Sequence, residues 1–99
     1  MKVVLQYFDD CPNWREAAAH LDTLAAELPG LTVSLQRVDN AEEAERVNFR
    51  GSPSILVDGV DPFAPDDAPV GLACRVFLTP EGPAGSPTLE QLRIAITRR

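Results

Sequence analysis

Val3-Val4-Leu5-Gln6-Tyr7-Phe8-Asp9-Asp10-Cys11-Pro12-Asn13-Trp14 is an apolar run, a short acidic turn, a cysteine followed at once by proline, and the entry to a helical pattern. β-Branched and aromatic residues dominate the run from Val3 to Phe8, which predicts a strand. It barely alternates, so both of its faces should be covered, as in a central strand. Pro12 suits the first position of a helix, where its missing N–H costs nothing. Cys11 then becomes the cap residue, with its sulfur beside the free N–H groups of Asn13 and Trp14. Those donors and the helix dipole favour a thiolate, the reactive form of cysteine. The competing reading of Cys11 is a small buried hydrophobe. Asp9 and Asp10 oppose the thiolate by their charge, and Arg15 offsets them in part.

Outward from this stretch, Trp14, Ala17, Ala18, Leu21, Leu24, Ala25 and Leu28 recur at steps of three and four and make one helical stripe, ended by Pro29-Gly30. His20 lies off the stripe, about 13 Å along the helix from Cys11, too far to serve as its base. Leu31, Val33 and Leu35 alternate with Thr32, Ser34 and Gln36, a half-buried strand at or near a sheet edge. Asn40 with Glu43 resembles a capping box opening a short helix over Ala41, Ala44 and Val47, with Gly51 past its end. Ser52 to Val57 reads as a third strand with Pro53 at its start, followed by an Asp58-Gly59 turn. Val60 to Val70 is a long Pro- and Asp-rich loop; within it Asp61-Pro62-Phe63 reads as a turn with one anchoring Phe, or else as a cover for the site. Leu72 to Leu78 reads as a fourth strand and Thr79 to Pro87 as a connection. Thr88 and Gln91 form a capping box for a last helix carrying Leu89, Leu92, Ala95 and Ile96 inward.

Ninety-nine residues predict one domain, 1–99. The net charge of −6 argues against nucleic acid and anionic membrane as partners. No apolar run approaches the roughly 20 residues of a membrane span. One Lys and then a strand give no signal-peptide pattern, so a cytoplasmic protein with reduced thiols is expected. Cys11 and Cys74 alone cannot complete a zinc site, and neither metal nor cofactor is expected.

The chain resembles the thioredoxin superfamily. The likeness rests on strand, cysteine and helix at Phe8 to Trp14; on Val38-Asp39, a short helix and Arg50-Gly51-Ser52-Pro53-Ser54; and on the ββα ending. It spans nearly the whole chain. It implies an α/β fold, βαβαββα, with a four-stranded mixed sheet in the order 2-1-3-4 and helices on both faces. It also implies a cis Ser52–Pro53 bond facing Cys11, with Ser52 offering backbone groups to an extended substrate and Pro53 packing on Cys11. Pro12 and Trp14 belong to the same substrate side. Trp14 reads as core or as a lid over Cys11, with substrate stacking as the alternative. Trp14 also stands where the family's resolving thiol would be, which leaves a one-cysteine cycle through a mixed disulfide, as in monothiol glutaredoxin-like proteins. Gly71-Leu72-Ala73-Cys74-Arg75 is similar to a segment of small thioredoxin-fold proteins carrying an organomercurial-lyase label.

Cys74 alternates in step with Leu72, Val76 and Leu78, which predicts a buried place on an apolar face. Pairing of the third and fourth strands would set it near Pro53. A disulfide with Cys11 requires Cα atoms within about 7 Å, which strand order alone leaves open. The leading functional expectation is a thiol-dependent redox protein, with Cys11 the nucleophile and a thiol or disulfide, such as glutathione or a protein, as partner. A soft-metal or organomercurial site using Cys11 and Cys74 is the second. A catalytically silent module docking peptides at Pro53 is the third.

Overall fold

The computed structural model describes residues 1–63 and 69–98. The elements are β1 (Lys2–Tyr7), α1 (Trp14–Glu27), β2 (Thr32–Arg37), α2 (Ala41–Val47), β3 (Ser54–Val57), β4 (Phe77–Thr79), β5 (Gly82–Ala84) and α3 (Leu89–Thr97). The result is a small mixed α/β protein. β1 is central in a three-stranded sheet ordered β2-β1-β3, parallel to β2 and antiparallel to β3. The parallel step from β1 to β2 passes through α1, as a crossover connection requires.

Register decides the core. Val3 pairs with Val57 and Leu5 with Ile55, so these four side chains share one face of the sheet. Ala17, Leu21 and Leu24 of α1 and Leu92 and Ile96 of α3 close over that face, and all nine residues are buried. Each fully buried Leu, Ile or Val contributes about 1.5–3 kcal/mol, so this face is the main source of stability. The other face is more polar. Buried Gln6 donates to Gln36 Oε1 at 2.8 Å and to the carbonyl of Val47 in α2 at 3.4 Å. Below α2, Val38, Ala44 and Phe49 form a second cluster that Phe8, Val47, Val70 and Leu72 pack against.

Local signals explain the helix ends. Asn40 Oδ1 accepts from Glu43 N–H at 2.8 Å. Thr88 and Gln91 form the full reciprocal box at 2.9 and 3.1 Å. α2 ends on Asn48, at φ +56. Gly51 lies past that end, as expected, three residues beyond the left-handed Asn48. Asp58 and Gly59, at φ +50 and +88, turn the chain after β3, and Val57 and Val60 close the turn with two backbone bonds.

The expected fourth strand over Leu72–Leu78 is absent from the sheet. β4 is Phe77–Thr79, and among the described residues it pairs only with β5, which lies in the stretch read as a plain connection. The side chains also face opposite to expectation. Phe77 is buried, while Val76 and Leu78 are 72% and 80% exposed. With a period of two, burying Phe77 forces its neighbours outward. The expected loop from Val60 to Val70 lies partly outside the described residues. Its first part behaves as an anchored turn: Phe63 N–H bonds Asp61 Oδ1 at 2.9 Å, and the Phe63 ring meets Phe77 edge-on. None of the described helices is long and apolar enough to cross a membrane.

Candidate functional site

Cys11 sits in the turn between β1 and α1. Its N–H bonds the Phe8 carbonyl at 3.0 Å, and Arg15 N–H reaches the Pro12 carbonyl at 3.1 Å. Pro12 and Asn13 thus form a tight turn ahead of the regular helix, whose cap is Asn13 rather than Cys11. The Asn13 side chain takes over the role expected of the helix N–H groups, with Nδ2 3.7 Å from Cys11 Sγ. A Cβ built on Gly85 would collide with the Asn13 amide, so that amide is held between the sulfur and the chain leading into α3.

Cys11 is 1% exposed and is joined to Cys74 in a disulfide, with Cα atoms 5.8 Å apart. Two expectations are corrected here. The thiols are not free, and Cys74 lies exposed on the surface rather than packed on an apolar face. Its segment follows residues 49–53 instead of forming a sheet strand. Gly71 N–H bonds the Phe49 carbonyl at 3.0 Å, Ser52 N–H the Ala73 carbonyl at 2.7 Å, and Arg75 N–H the Ser52 carbonyl at 3.0 Å. The last two bonds bracket Cys74, which forms a parallel bridge with Ser52. The Ser52–Pro53 bond is cis, Pro53 is buried, and the Ser52 carbonyl is 3.8 Å from Cys11 Sγ. Ser52 Oγ also accepts from Phe8 N–H at 3.0 Å, tying this loop to the end of β1.

Gly51 makes the close approach possible. It sits at φ +110, and a Cβ there would stand 2.5 Å from Arg75 Cγ and 3.2 Å from the Ala73 carbonyl. Arg75 pairs with Asp61 at 2.7 Å, with the two side chains only 11% and 9% exposed. Its guanidinium also lies 4.5 Å from the Phe77 ring centre and bonds Ser54 Oγ at 3.3 Å.

Of the residues expected on the substrate side, Ser52 and Pro53 are at the disulfide, and Pro12 is exposed beside it in the turn. Trp14 faces the core: its ring stacks on Tyr7 with centroids 4.3 Å apart. The acidic turn is partly neutralised, since Arg37 lies 3.5 Å from Asp9 and 2.6 Å from Asp39. The Asp39 bond and charge, followed by Asp9, hold the Arg37 guanidinium more firmly protonated than usual. Among the described residues no group of three or more His, Cys, Asp or Glu is placed to hold a metal ion.

No family model, curated protein or solved structure matches the chain. Functional assignment therefore rests on the site itself. The Asn13 side chain and Arg75 were not singled out from the sequence, and Asp61, read there as part of a turn or cover, is instead the partner of Arg75. A basic residue directly after Cys74, within a strand otherwise read as apolar, was the available signal for Arg75.

Proposed function

We propose that the protein is a thioredoxin-like thiol–disulfide exchange protein whose redox pair is Cys11 and Cys74. The observation that carries this reading is the asymmetric disulfide: one sulfur buried beside the Asn13 amide, the other on an exposed residue held along Ser52. A second cysteine in bonding contact favours a two-cysteine cycle over the one-cysteine cycle expected from Trp14. In a thiol-buffered compartment, a disulfide that persists is typically catalytic or redox-sensing.

The asymmetry assigns roles. An external thiolate attacks the sulfur of Cys74, the exposed residue of the pair. The S–S bond breaks, its electron pair leaves on Cys11, and a mixed disulfide remains on Cys74. The Asn13 amide stabilises the departing thiolate, and a better-stabilised leaving group departs faster. A second external thiolate attacks the external sulfur of the mixed disulfide, releasing Cys74 as thiolate and an external disulfide. Two electrons thus pass to the protein, and two protons lost by the external thiols balance the two protein thiols. Run backwards, the same steps reduce an external disulfide, with Cys11 as the resolving thiol. The partner is a small thiol such as glutathione, or a protein thiol.

Glutathione trapping tests the assignment. With glutathione disulfide, Cys11→Ser should form an adduct at Cys74 rapidly, and Cys74→Ser should form one at buried Cys11 more slowly. Faster modification of Cys11 would reverse the roles, and no adduct on either variant would remove the exchange reading. The same pair of sulfurs, once reduced, also favours a two-thiolate site for a soft cation as a second reading. That reading requires one mercuric ion per chain, lost with either Ser variant.

A further inference from the structure

We infer that Arg75 and Asp61 are positioning residues of the redox pair, a latch that keeps Cys74 over Cys11 after the disulfide has been reduced. The inference rests on the exchange reading and adds what controls the equilibrium of that site.

A cysteine brought to its partner only by the disulfide itself would swing away on reduction. Here the segment has holdfasts independent of the sulfurs. Upstream of Cys74, Val70 and Leu72 pack on the Phe49 cluster, and Gly71 N–H bonds the Phe49 carbonyl. Directly downstream, Arg75 turns inward against the alternation of its apolar neighbours and meets Asp61. Ser54 Oγ, whose own hydroxyl donates to the Gly51 carbonyl at 2.6 Å, accepts a further bond from Arg75. The carboxylate is fixed as well, because Asp61 Oδ1 accepts from Phe63 N–H while Oδ2 faces Arg75. One ion pair, nearly excluded from water, thus joins the turn after β3 to the residue beside Cys74. Arg75 N–H in turn makes one of the two bonds to Ser52 that bracket Cys74.

The chemical consequence follows from effective concentration. Forming the disulfide from the dithiol costs only the freedom that Cys74 still has, so a held Cys74 gives a high effective concentration and a bond that resists external thiols. Removing Arg75 also leaves the Asp61 carboxylate buried without its partner, a cost the protein escapes by letting the segment lift, which the dithiol permits and the disulfide does not. Both effects push the same way, toward the reduced form.

The test uses the whole chain. Wild type and variants are equilibrated in buffers of reduced and oxidised glutathione, quenched with acid, alkylated and weighed, which gives the effective concentration of the pair. Arg75→Gln and Asp61→Asn should each lower it roughly ten- to a hundredfold, the range of a charge-assisted hydrogen bond. The double variant should fall little further than either single one, and Arg75→Lys should recover part of the loss. Ile96→Val, a core change remote from the site, should lower stability and leave the effective concentration unchanged, which separates positioning from general destabilisation. A second readout needs no glutathione: in phosphine-reduced wild type the Arg75 and Ser52 amides should stay protected from hydrogen exchange, and in reduced Arg75→Gln they should not. Unprotected amides in reduced wild type, or unchanged effective concentration in both single variants, would overturn the latch. Wild type that keeps its amides protected but never equilibrates with glutathione would instead overturn the exchange reading and leave the latch standing.

Discussion

Reducing the Cys11–Cys74 bond should lower the stability of the folded protein by about 4 kcal/mol. The two cysteines are 63 residues apart, and the loop-closure relation for a ring of that length comes to about 4 kcal/mol at 25 °C. Lost contacts add little, because Cys74 is on the surface and Cys11 stays buried as a thiol. The full entropic value is realised only when the native dithiol already holds both ends of the loop. The backbone bonds at Phe49 and Ser52 and the packing of Val70 and Leu72 supply that hold. Urea unfolding of oxidised and phosphine-reduced protein, followed by tryptophan fluorescence and far-ultraviolet circular dichroism, measures the difference. A protein of this size has roughly 5–15 kcal/mol in total, so the loss should be large and should appear as a Tm lower by roughly 15–30 °C. A difference below about 1 kcal/mol with unchanged m-value would refute the reasoning, because it would mean that the native dithiol does not hold the 69–76 segment in place.

Gly51→Ala should cost about 3 kcal/mol from its left-handed φ and the collision with Arg75, and should also make the disulfide easier to reduce; urea titration and the glutathione equilibrium check the two effects separately. Asn13→Ala should slow thiol attack on the disulfide about tenfold, because the departing Cys11 thiolate loses its amide donor; the initial rate with glutathione under pseudo-first-order conditions reads this directly. Thr88→Ala should lower stability by about 1 kcal/mol through loss of the α3 cap and leave the redox equilibrium untouched, which makes it a second control.

Much of the scaffold was legible because its signals are local. The apolar run at Val3, the stripe through Ala17, Leu21 and Leu24, and the Thr88–Gln91 box each report a structure decided within a few residues. The region from Leu72 to Leu78 was not legible for the same reason. Its alternation of Leu72, Cys74, Val76 and Leu78 is a clean local pattern, but from Cys74 onward the inward residues are Arg75 and Phe77, chosen by Asp61 and Phe63 from a distant turn. A charged residue points inward when its partner waits there, and a single sequence does not show the partner. The joining of Cys74 to Cys11 depends on the same long-range docking. Cys11 stood out in the sequence and lies in the disulfide, while the cap position expected for it passed to Asn13 because the chain turns once more before the regular helix begins.

The most direct test of the central claim is whether folded wild-type protein exchanges its Cys11–Cys74 bond with a thiol buffer. Oxidised and reduced protein are each incubated in glutathione mixtures at pH 7 and 25 °C without denaturant, then quenched, alkylated and weighed. The exchange reading predicts that both starting forms converge on the same ratio, in one two-electron step separated by two mass units before alkylation, with the transient adduct mapped to Cys74. A bond that opens only when urea or heat unfolds the protein would contradict it and make the disulfide a structural cross-link alone.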